Sequence, residues 1–439
     1  MISFIIKGIL RDRSRSLFPA LIVAAGAMLT VFFYSYMQGG KNNFIETSAR
    51  YQTGHLKVMT RAYAAESDLL PNDLALTGAT GLVSNLRAEY PELIWKPRIR
   101  FAGLLDIPDE NGQTRAQAPI SGLAVELVAD NRNENQNLRN LPEAEILNLK
   151  KGLIAGRLPE KPREILVGSV LASSLKINPG DRATIISSTL TGAMAIADFT
   201  VAGVIRFGVT PLDKTLVIAD LEEARQLLDM EDAAGEIFGF YPDFLYRPQL
   251  AARMARDFNA KSEERARSSG EDPDFLPLIL TLGEQGGLGD MIAIYDVYAY
   301  VLVAVFVAVM SLVLWNAGLM GSLRRYGEIG LRLAMGETHR RLYFSLLGES
   351  VIIGLIGSVA GTALGLAISY YLQTYGINAE AFTRTSEMMM TNIIKAQVTW
   401  VSYIIGFIPG LLATLLGTAM AGLGIFRRRT ATLMKEFEA

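Results

Sequence analysis

The chain has 439 residues, half of them hydrophobic, and its formal net charge is −2. That charge gives no overall indication of nucleic-acid binding. The absence of cysteine excludes disulfides and thiolate metal sites. The mean hydropathy of +0.26 is moderate because long apolar stretches alternate with one long polar stretch.

Residues 1–16 mix apolar and basic side chains, for example Ile5, Ile6 and Ile9 with Lys7 and Arg11. This pattern predicts a short amphipathic helix in the membrane interface. The alternative is that these residues are only the frayed start of the next helix.

The first apolar stretch, Leu17–Met37, is long enough to cross a hydrocarbon core, which takes roughly 20 residues of helix. It is too long for the apolar region of a signal peptide, and no small-x-small cleavage site follows it. We therefore expect a retained first transmembrane helix at residues 17–38.

Residues 39–293 form a long, mostly polar stretch. Its length of about 255 residues is enough for a core of its own and for two lobes. Strand patterns and helix patterns are segregated, which predicts an α+β domain. Asp220, three residues before Glu223, resembles a capping box at a helix start. The predicted strands are Leu93–Leu105, Glu164–Val167, Arg182–Ser187, Ile196–Ile205 and Thr215–Ile218, and the predicted helices are Ala79–Glu89, Ala219–Leu228 and Gln249–Arg267.

Both ends of this domain have the pattern of helical stalks. Lys41–Arg50 can continue the first helix, and few turn signals separate Asp290 from the second apolar stretch. The alternative at the first stalk is that Gly39 and Gly40 break the helix.

Three further transmembrane helices are predicted at residues 294–323, 342–372 and 398–426, joined by a loop at 324–341 and a segment at 373–397. Arginine and lysine concentrate in the N-terminal flank, in the 324–341 loop and in the tail at 427–439. By the positive-inside rule these parts face the cytoplasm, so that the large domain lies outside.

Small residues recur every four positions in the last two helices. Gly357, Gly361 and Gly365 share one face of the third, which predicts close helix packing within one bundle or in a homodimer. Pro409 predicts a kink in the fourth helix.

Catalytic motifs are missing from the sequence. Gly39-Gly40-Lys41 lacks the upstream glycine and the Ser/Thr of a phosphate-binding loop. The two histidines, His55 and His339, allow no two-histidine metal helix, so no catalytic, cofactor or metal residue is assigned. We expect Glu349, an isolated carboxylate within the third helix, to face the bundle and pair with a basic residue of the loop.

The 324–341 loop is unusually apolar. Glu328–Met335 has the length of about two helical turns, and Gly336 is suited to end such a helix in the left-handed conformation. An exposed amphipathic helix of this kind fits a groove in a partner. The alternative is a helix lying flat on the lipid headgroups.

The loop sequence resembles the E-I-G-L-[RK]-x-A-[LM]-G signature of the FtsX-like permease family, which includes lipoprotein-releasing and MacB-type transporters. The third helix is similar too, with Gly348-Glu349-Ser350 before a glycine-rich run. In the large domain, Gly156–Pro159 and Glu164–Gly168 resemble the family's periplasmic core domain. The residues that match the loop signature are Glu328, Ile329, Gly330, Leu331, Arg332, Leu333, Ala334, Met335 and Gly336.

This resemblance implies a non-catalytic, multi-pass permease subunit of an ABC transporter in the inner membrane, with its large domain in the periplasm. The matching loop residues would be the coupling helix, seated in a separate ATPase subunit that binds ATP. Further partners would be a second permease copy or a paralogue and an envelope substrate. Lipoprotein release by mechanotransmission is the first interpretation. Export of another envelope substrate, or regulation of cell-wall hydrolases, is the alternative.

Overall fold

A computed structural model describes residues 13–128, 141–270, 272–324, 331–332, 335–378 and 393–427 of the chain. The chain divides into two compact units. The membrane unit comprises Met1–Lys41, Ala293–Ile377 and Ile394–Ala439, and the large domain comprises Asn42–Ile292 and Asn378–Ile393. Most of the predicted N-terminal interface helix, the asparagine-rich run at 131–140 and the tail after Arg427 lie outside the described residues.

The helices are numbered here in chain order. They are α1 (Arg13–Ser48), α2 (Arg61–Ala65), α3 (Ala79–Glu89), α4 (Glu143–Ile146), α5 (Leu149–Gly152), α6 (Ser169–Leu175), α7 (Thr210–Thr215), α8 (Leu221–Leu228), α9 (Pro248–Ser269), α10 (Leu288–Arg324), α11 (His339–Tyr375), α12 (Ser402–Ile405) and α13 (Phe407–Arg427).

The strands are numbered in the same way. They are β1 (Leu56–Thr60), β2 (Leu76–Thr77), β3 (Ile94–Pro108), β4 (Thr114–Val125), β5 (Leu153–Gly156), β6 (Glu164–Gly168), β7 (Arg182–Ser188), β8 (Met194–Ile205), β9 (Leu216–Asp220), β10 (Ala233–Ala234), β11 (Glu236–Phe240), β12 (Pro277–Thr281), β13 (Ile377–Asn378) and β14 (Ile393–Ile394).

Four helical segments of the described residues are long and apolar enough to cross a membrane. They lie in α1, α10, α11 and the pair α12–α13. The helix break considered at Gly39 and Gly40 is wrong, because α1 continues to Ser48. Beyond Ser48 the chain makes a π-helical turn, Ala49–Thr53, which ends at Gly54 with a φ of +62°.

The fourth apolar segment is interrupted where Pro409 requires it. Proline has no backbone N–H to donate to the carbonyl four residues earlier, which belongs to Ile405. The helix accordingly stops at Ile405 and starts again at Phe407.

In its described residues, the large domain is built on one mixed sheet of ten strands. Nine of them follow the order β12-β1-β11-β3-β4-β9-β6-β8-β5, and β7 pairs with β3 and β8. The β4–β9 and β6–β8 pairs are parallel, and the other pairs are antiparallel. Helices α3 and α9 help to bury one apolar core and α6 and α8 a second, so the domain has α+β architecture as predicted.

The predicted strands and longer helices of this domain agree with the structure to within a few residues. The capping box at Asp220 is wrong in detail. Asp220 does cap α8, but its side chain accepts from the Glu222 amide, two residues on. Its other oxygen accepts from the amides of Leu127 and Val128 and so joins α8 to the end of β4.

Candidate functional site

The loop between α10 and α11 contains, in its described part, a helical turn that ends at Gly336. The Met335 N–H donates to the Leu331 carbonyl at 2.9 Å, and the Glu337 N–H donates to the Arg332 carbonyl at 3.1 Å. Gly336 lies between these two donors with a φ of +90°. These are features of a Schellman motif, so the helix end predicted at Gly336 is confirmed.

Two apolar side chains of this turn face outward. Leu331 is 59% exposed and Met335 is 72% exposed within the chain. Such exposure of large apolar side chains beside each other is typical of a surface that a partner or lipid covers. Of the other predicted coupling residues, Glu328, Ile329, Gly330, Leu333 and Ala334 lie outside the described residues.

The first helix is the centre of the membrane unit. Val23, Ala27 and Val31 of α1 are fully buried. The glycines of α11 approach its backbone so closely that a methyl group on Gly361 would lie 2.2 Å from the Ala24 carbonyl oxygen. Gly357 and Gly365 meet the Ala20 and Met28 carbonyls in the same way, at 2.9 and 2.8 Å. The small-residue face therefore packs α11 against α1 within one chain.

Residues of α11 next to these glycines pack against α12 and α13. A methyl group on Gly410 would lie 2.0 Å from Ser358 Oγ, and one on Gly406 would lie 2.4 Å from Thr362 Oγ1. Both hydroxyl-bearing side chains are buried. A methyl group on Gly406 would also lie 2.9 Å from Val31 of α1, so α1, α11 and the α12–α13 pair pack against one another.

The end of α1 within the membrane unit is held by contacts to each of the other apolar segments or their connections. The Ser35 carbonyl accepts from the Gln397 N–H at 2.8 Å, and Ser35 Oγ lies 3.1 Å from Ser402 Oγ. Lys41 forms a 2.6 Å ion pair with Asp296 of α10. The four apolar segments are thus fixed to one another through α1.

The large domain begins and ends on neighbouring strands. β1 pairs with β12 from Leu56 opposite Thr281 onward. The Leu282 N–H donates to the His55 carbonyl at 3.1 Å, and Gln285 Nε2 donates to the Thr53 carbonyl at 3.3 Å. The segment after α1 and the segment before α10 are therefore joined inside this domain.

A buried arginine of β3 also holds the segment after α1. Arg98 donates from Nε and Nη2 to the two carboxylate oxygens of Glu143, at 3.0 and 2.8 Å. Its Nη1 donates to the Arg50 carbonyl at 2.5 Å. The Arg98 guanidinium stacks on Phe238, 4.5 Å from the ring centroid. Both members of the Arg98–Glu143 pair are fully buried, so that solvent screens this interaction little.

A second buried ionic cluster lies beside the first on the same sheet face. Glu236 of β11 accepts from Lys57 at 2.7 Å and from Arg100 at 2.8 and 2.6 Å. Burial alone would raise the pKa of Glu236, but Arg100 and Lys57 together lower it to about 2. Burial lowers the pKa of Lys57 to about 8, against the attraction of Glu236. Glu236 is therefore ionised at neutral pH and holds two cations in place.

His55 is a fully buried side chain of the large domain. Its Nδ1 accepts a hydrogen bond from the Tyr241 N–H at 3.0 Å. Rings of Tyr241 and Tyr246 lie within 6.0 Å of its own ring. Desolvation lowers the pKa of His55 to about 4, so the imidazole is neutral at physiological pH.

Sequence reasoning missed the residues of these clusters, although β3 carried a signal. Lys96, Arg98 and Arg100 alternate within an otherwise apolar strand, which places three cations on one face. Cations at alternating positions of a buried strand require buried carboxylates. The pattern gives no indication of which carboxylates these are, because Glu143 and Glu236 are distant in sequence.

Comparison with known proteins gave one family match. Residues 300–429 match the model of the FtsX-like permease C-terminal domain. No match was found among curated proteins. Among solved structures, the periplasmic region of MacB from Actinobacillus actinomycetemcomitans matches at 13% identity with a TM-score of 0.31, covering 52% of this chain and 89% of that one.

The family match confirms the resemblance found in the sequence. Together with the four apolar helices, it indicates a multi-pass inner-membrane protein. It supports a role as an ABC transporter permease, a kind of subunit that is generally non-catalytic and works with an ATPase partner. Residues 300–429, which match the FtsX-like permease C-terminal model, include part of the second apolar segment and the third and fourth segments.

Proposed function

We propose that this chain is the permease subunit that converts ATP hydrolysis by a separate ATPase into movement of the large domain, and that this movement releases lipoproteins from the membrane. The ATPase binds the turn that ends at Gly336. The large domain lies on the opposite side of the membrane, in the periplasm. The chain itself binds no cofactor.

The observation that carries the proposal is the pair of exposed apolar side chains on a capped turn within the family-matched region. Leu331 and Met335 are separated by one helical turn and joined by a backbone hydrogen bond. A short helix with such a face supplies the anchors that a groove in a partner needs. Gly336 fixes the helix end, so the face is presented in one orientation.

The packing around α1 supports transmission of force through this helix. Close contacts with α11 at Gly357, Gly361 and Gly365 leave little room for relative sliding. The Lys41–Asp296 pair and the Ser35 contacts hold the other end. A movement of the α10–α11 loop therefore has a closely packed path to α1, the helix that leads into the large domain.

The sequence of the four apolar segments supports a substrate that does not cross the bilayer. Glu349 is the single charged residue within the four apolar segments, which are Leu17–Met37, Val297–Leu323, Leu346–Leu372 and Val398–Phe426. Polar transport pathways through membranes are lined by several such groups. A lipid-anchored substrate, lifted from the outer leaflet by a moving domain, needs no such pathway.

Co-purification tests the coupling assignment. Leu331→Asp should release the ATPase from the purified complex, since burying an unpaired carboxylate in an apolar groove is unfavourable. Leu245→Asp is the matched control, because Leu245 of the large domain is exposed to a similar extent, 55%. Unchanged co-purification and ATP hydrolysis with Leu331→Asp would refute the assignment of this turn.

Depletion of the protein tests the substrate. Lipoproteins destined for the outer membrane should accumulate at the cytoplasmic membrane after depletion, as measured by membrane fractionation. Normal sorting of lipoproteins, with the ATPase complex intact in wild-type cells, would exclude lipoprotein release and leave the permease assignment standing.

A further inference from the structure

The junction between α1 and the large domain combines an irregular turn with a buried ionic contact. Ala49–Thr53 is π-helical, and its closing hydrogen bond runs from the Gly54 N–H to the Ala49 carbonyl at 2.9 Å. Single π-helical turns within helices are rare and often mark functional positions. Its hydrogen bond joins residues five apart, so the regular pattern of α1, with bonds between residues four apart, does not continue into this turn.

Three side chains hold this turn to the rest of the large domain. Arg98 donates to the Arg50 carbonyl, as described above. The Arg50 side chain in turn donates to the Ile146 carbonyl and lies over the Phe244 ring, 3.9 Å from its centroid. Tyr51 Oη donates to the Leu147 carbonyl at 2.8 Å. The turn is therefore bound on one side to the sheet and on the other to the end of α4 and the residue that follows it.

The chemistry of Arg98 is better suited to fixing the position of the π-helical turn than to stabilising the fold. A buried ion pair offsets its own desolvation only partly, and apolar side chains of similar volume often serve stability equally well. A guanidinium, however, is a rigid planar fork with five donors. At this site it binds a carboxylate with two of its nitrogens and a backbone carbonyl with the third.

We infer that Arg98 is a positioning residue: held in place by Glu143, it locks the π-helical turn to the sheet, so that movement of α1 moves the large domain instead of bending the turn. The role in transmission depends on the proposed function. The lock itself does not, because all of its contacts lie within the large domain.

Hydrogen exchange on the full-length protein in detergent micelles tests the lock without any partner. The variant Arg98→Met with Glu143→Met removes both charges and keeps the site apolar, so that no buried charge is left alone. Amides of Ala49–Gly54 should exchange about tenfold faster in this variant, since local opening becomes easier. Arg157→Met is the control, because it removes another two-pronged arginine–glutamate pair, with Glu164, far along the chain. Wild-type exchange at Ala49–Gly54 in the double variant would overturn the inference.

Distance measurements on the complex with the ATPase test transmission. The chain has no cysteine, so Asn85→Cys in the large domain and Thr374→Cys at the end of α11 can carry two spin labels without further changes. When Arg98→Met and Glu143→Met are added to this labelled protein, the ATP-dependent change in the distance between the two labels should fall to about half or less. ATP hydrolysis should stay within about twofold of wild type. A full distance change would contradict the positioning role. No change in the wild-type background would contradict the proposed function, and the exchange result would still decide the lock.

Discussion

Gly39 of α1 lies in close contact with the backbone of Lys395. A Cβ atom added to Gly39 would lie 1.9 Å from the Lys395 carbonyl oxygen and 2.8 Å from the Ala396 Cα. The neighbouring Gly40 has space for a methyl group, with its nearest neighbour, Tyr295, at 3.9 Å. A side chain at Gly39 would therefore overlap with neighbouring backbone, whereas one at the adjacent Gly40 would fit.

This contrast gives a matched pair of variants. Gly39→Ala should destabilise the membrane unit by about 1–3 kcal/mol, because backbone atoms must move to relieve the overlap. Gly40→Ala should be neutral or stabilise the helix by about 0.5–1 kcal/mol. Thermal unfolding in detergent micelles, followed by tryptophan fluorescence, measures both. Equal effects of the two substitutions would contradict the close approach at Gly39.

Removing the charge of Glu236 should strongly destabilise the large domain. Glu236→Gln leaves Lys57 and Arg100 without their shared carboxylate, and breaking a buried ion pair on one side costs about 3–5 kcal/mol. Glu263→Gln is the control, because it removes a partly exposed ion pair with Arg61 and should cost less than about 1 kcal/mol. Unfolding midpoints of the two variants, compared with wild type, provide the test; similar midpoints would mean that the Glu236 cluster is not buried.

Lowering the pH should reduce the stability of the large domain, because His55 is protonated in the unfolded chain before it is protonated in the folded chain. Burial lowers its pKa to about 4 in the folded chain, below the ordinary histidine value of 6.5, so between these pH values the unfolded chain holds the additional proton. Stability therefore falls as the pH is lowered from 6.5 to 4, by about 3 kcal/mol from this group. His55→Asn keeps an acceptor for the Tyr241 N–H and does not titrate, so this part of the pH dependence should disappear. An unaltered slope in the variant would show that another group is responsible.

The membrane orientation can be tested by labelling single cysteines. Asn85 is exposed on α3 of the large domain, and Arg340, outside the proposed coupling residues, is exposed at the start of α11. By the positive-inside rule, a membrane-impermeant maleimide should label Asn85→Cys in intact spheroplasts and Arg340→Cys only after lysis. Labelling of Arg340→Cys before lysis, or labelling of Asn85→Cys only after lysis, would contradict the proposed direction of coupling.

Local patterns predicted much of the fold. The apolar lengths indicated the four membrane segments, and alternation in the sequence located five strands of the sheet. β4 was missed because Pro119 and small residues interrupt its pattern. The structure explains why proline is tolerated there. At Pro119 the strand pairs with Leu104 of β3, whereas its pairing with β9 begins only at Ser121, so the proline lies at a free edge.

The contacts around α1 could not be predicted in the same way. The glycine spacing in α11 indicated close packing, but not that α1 is its partner. Likewise, the cations of β3 indicated buried carboxylates, but the pairing of Arg98 with Glu143 depends on the path of the chain through a ten-stranded sheet. Contacts between residues far apart in sequence depend on topology, which local periodicity does not encode.

The pairing of Leu56 with Thr281 brings the two termini of the large domain side by side. A module whose ends meet in this way can be inserted between two helices, or exchanged for another, without changing the spacing of those helices. The four membrane segments can therefore keep their spacing when the domain between the first and second is replaced by another.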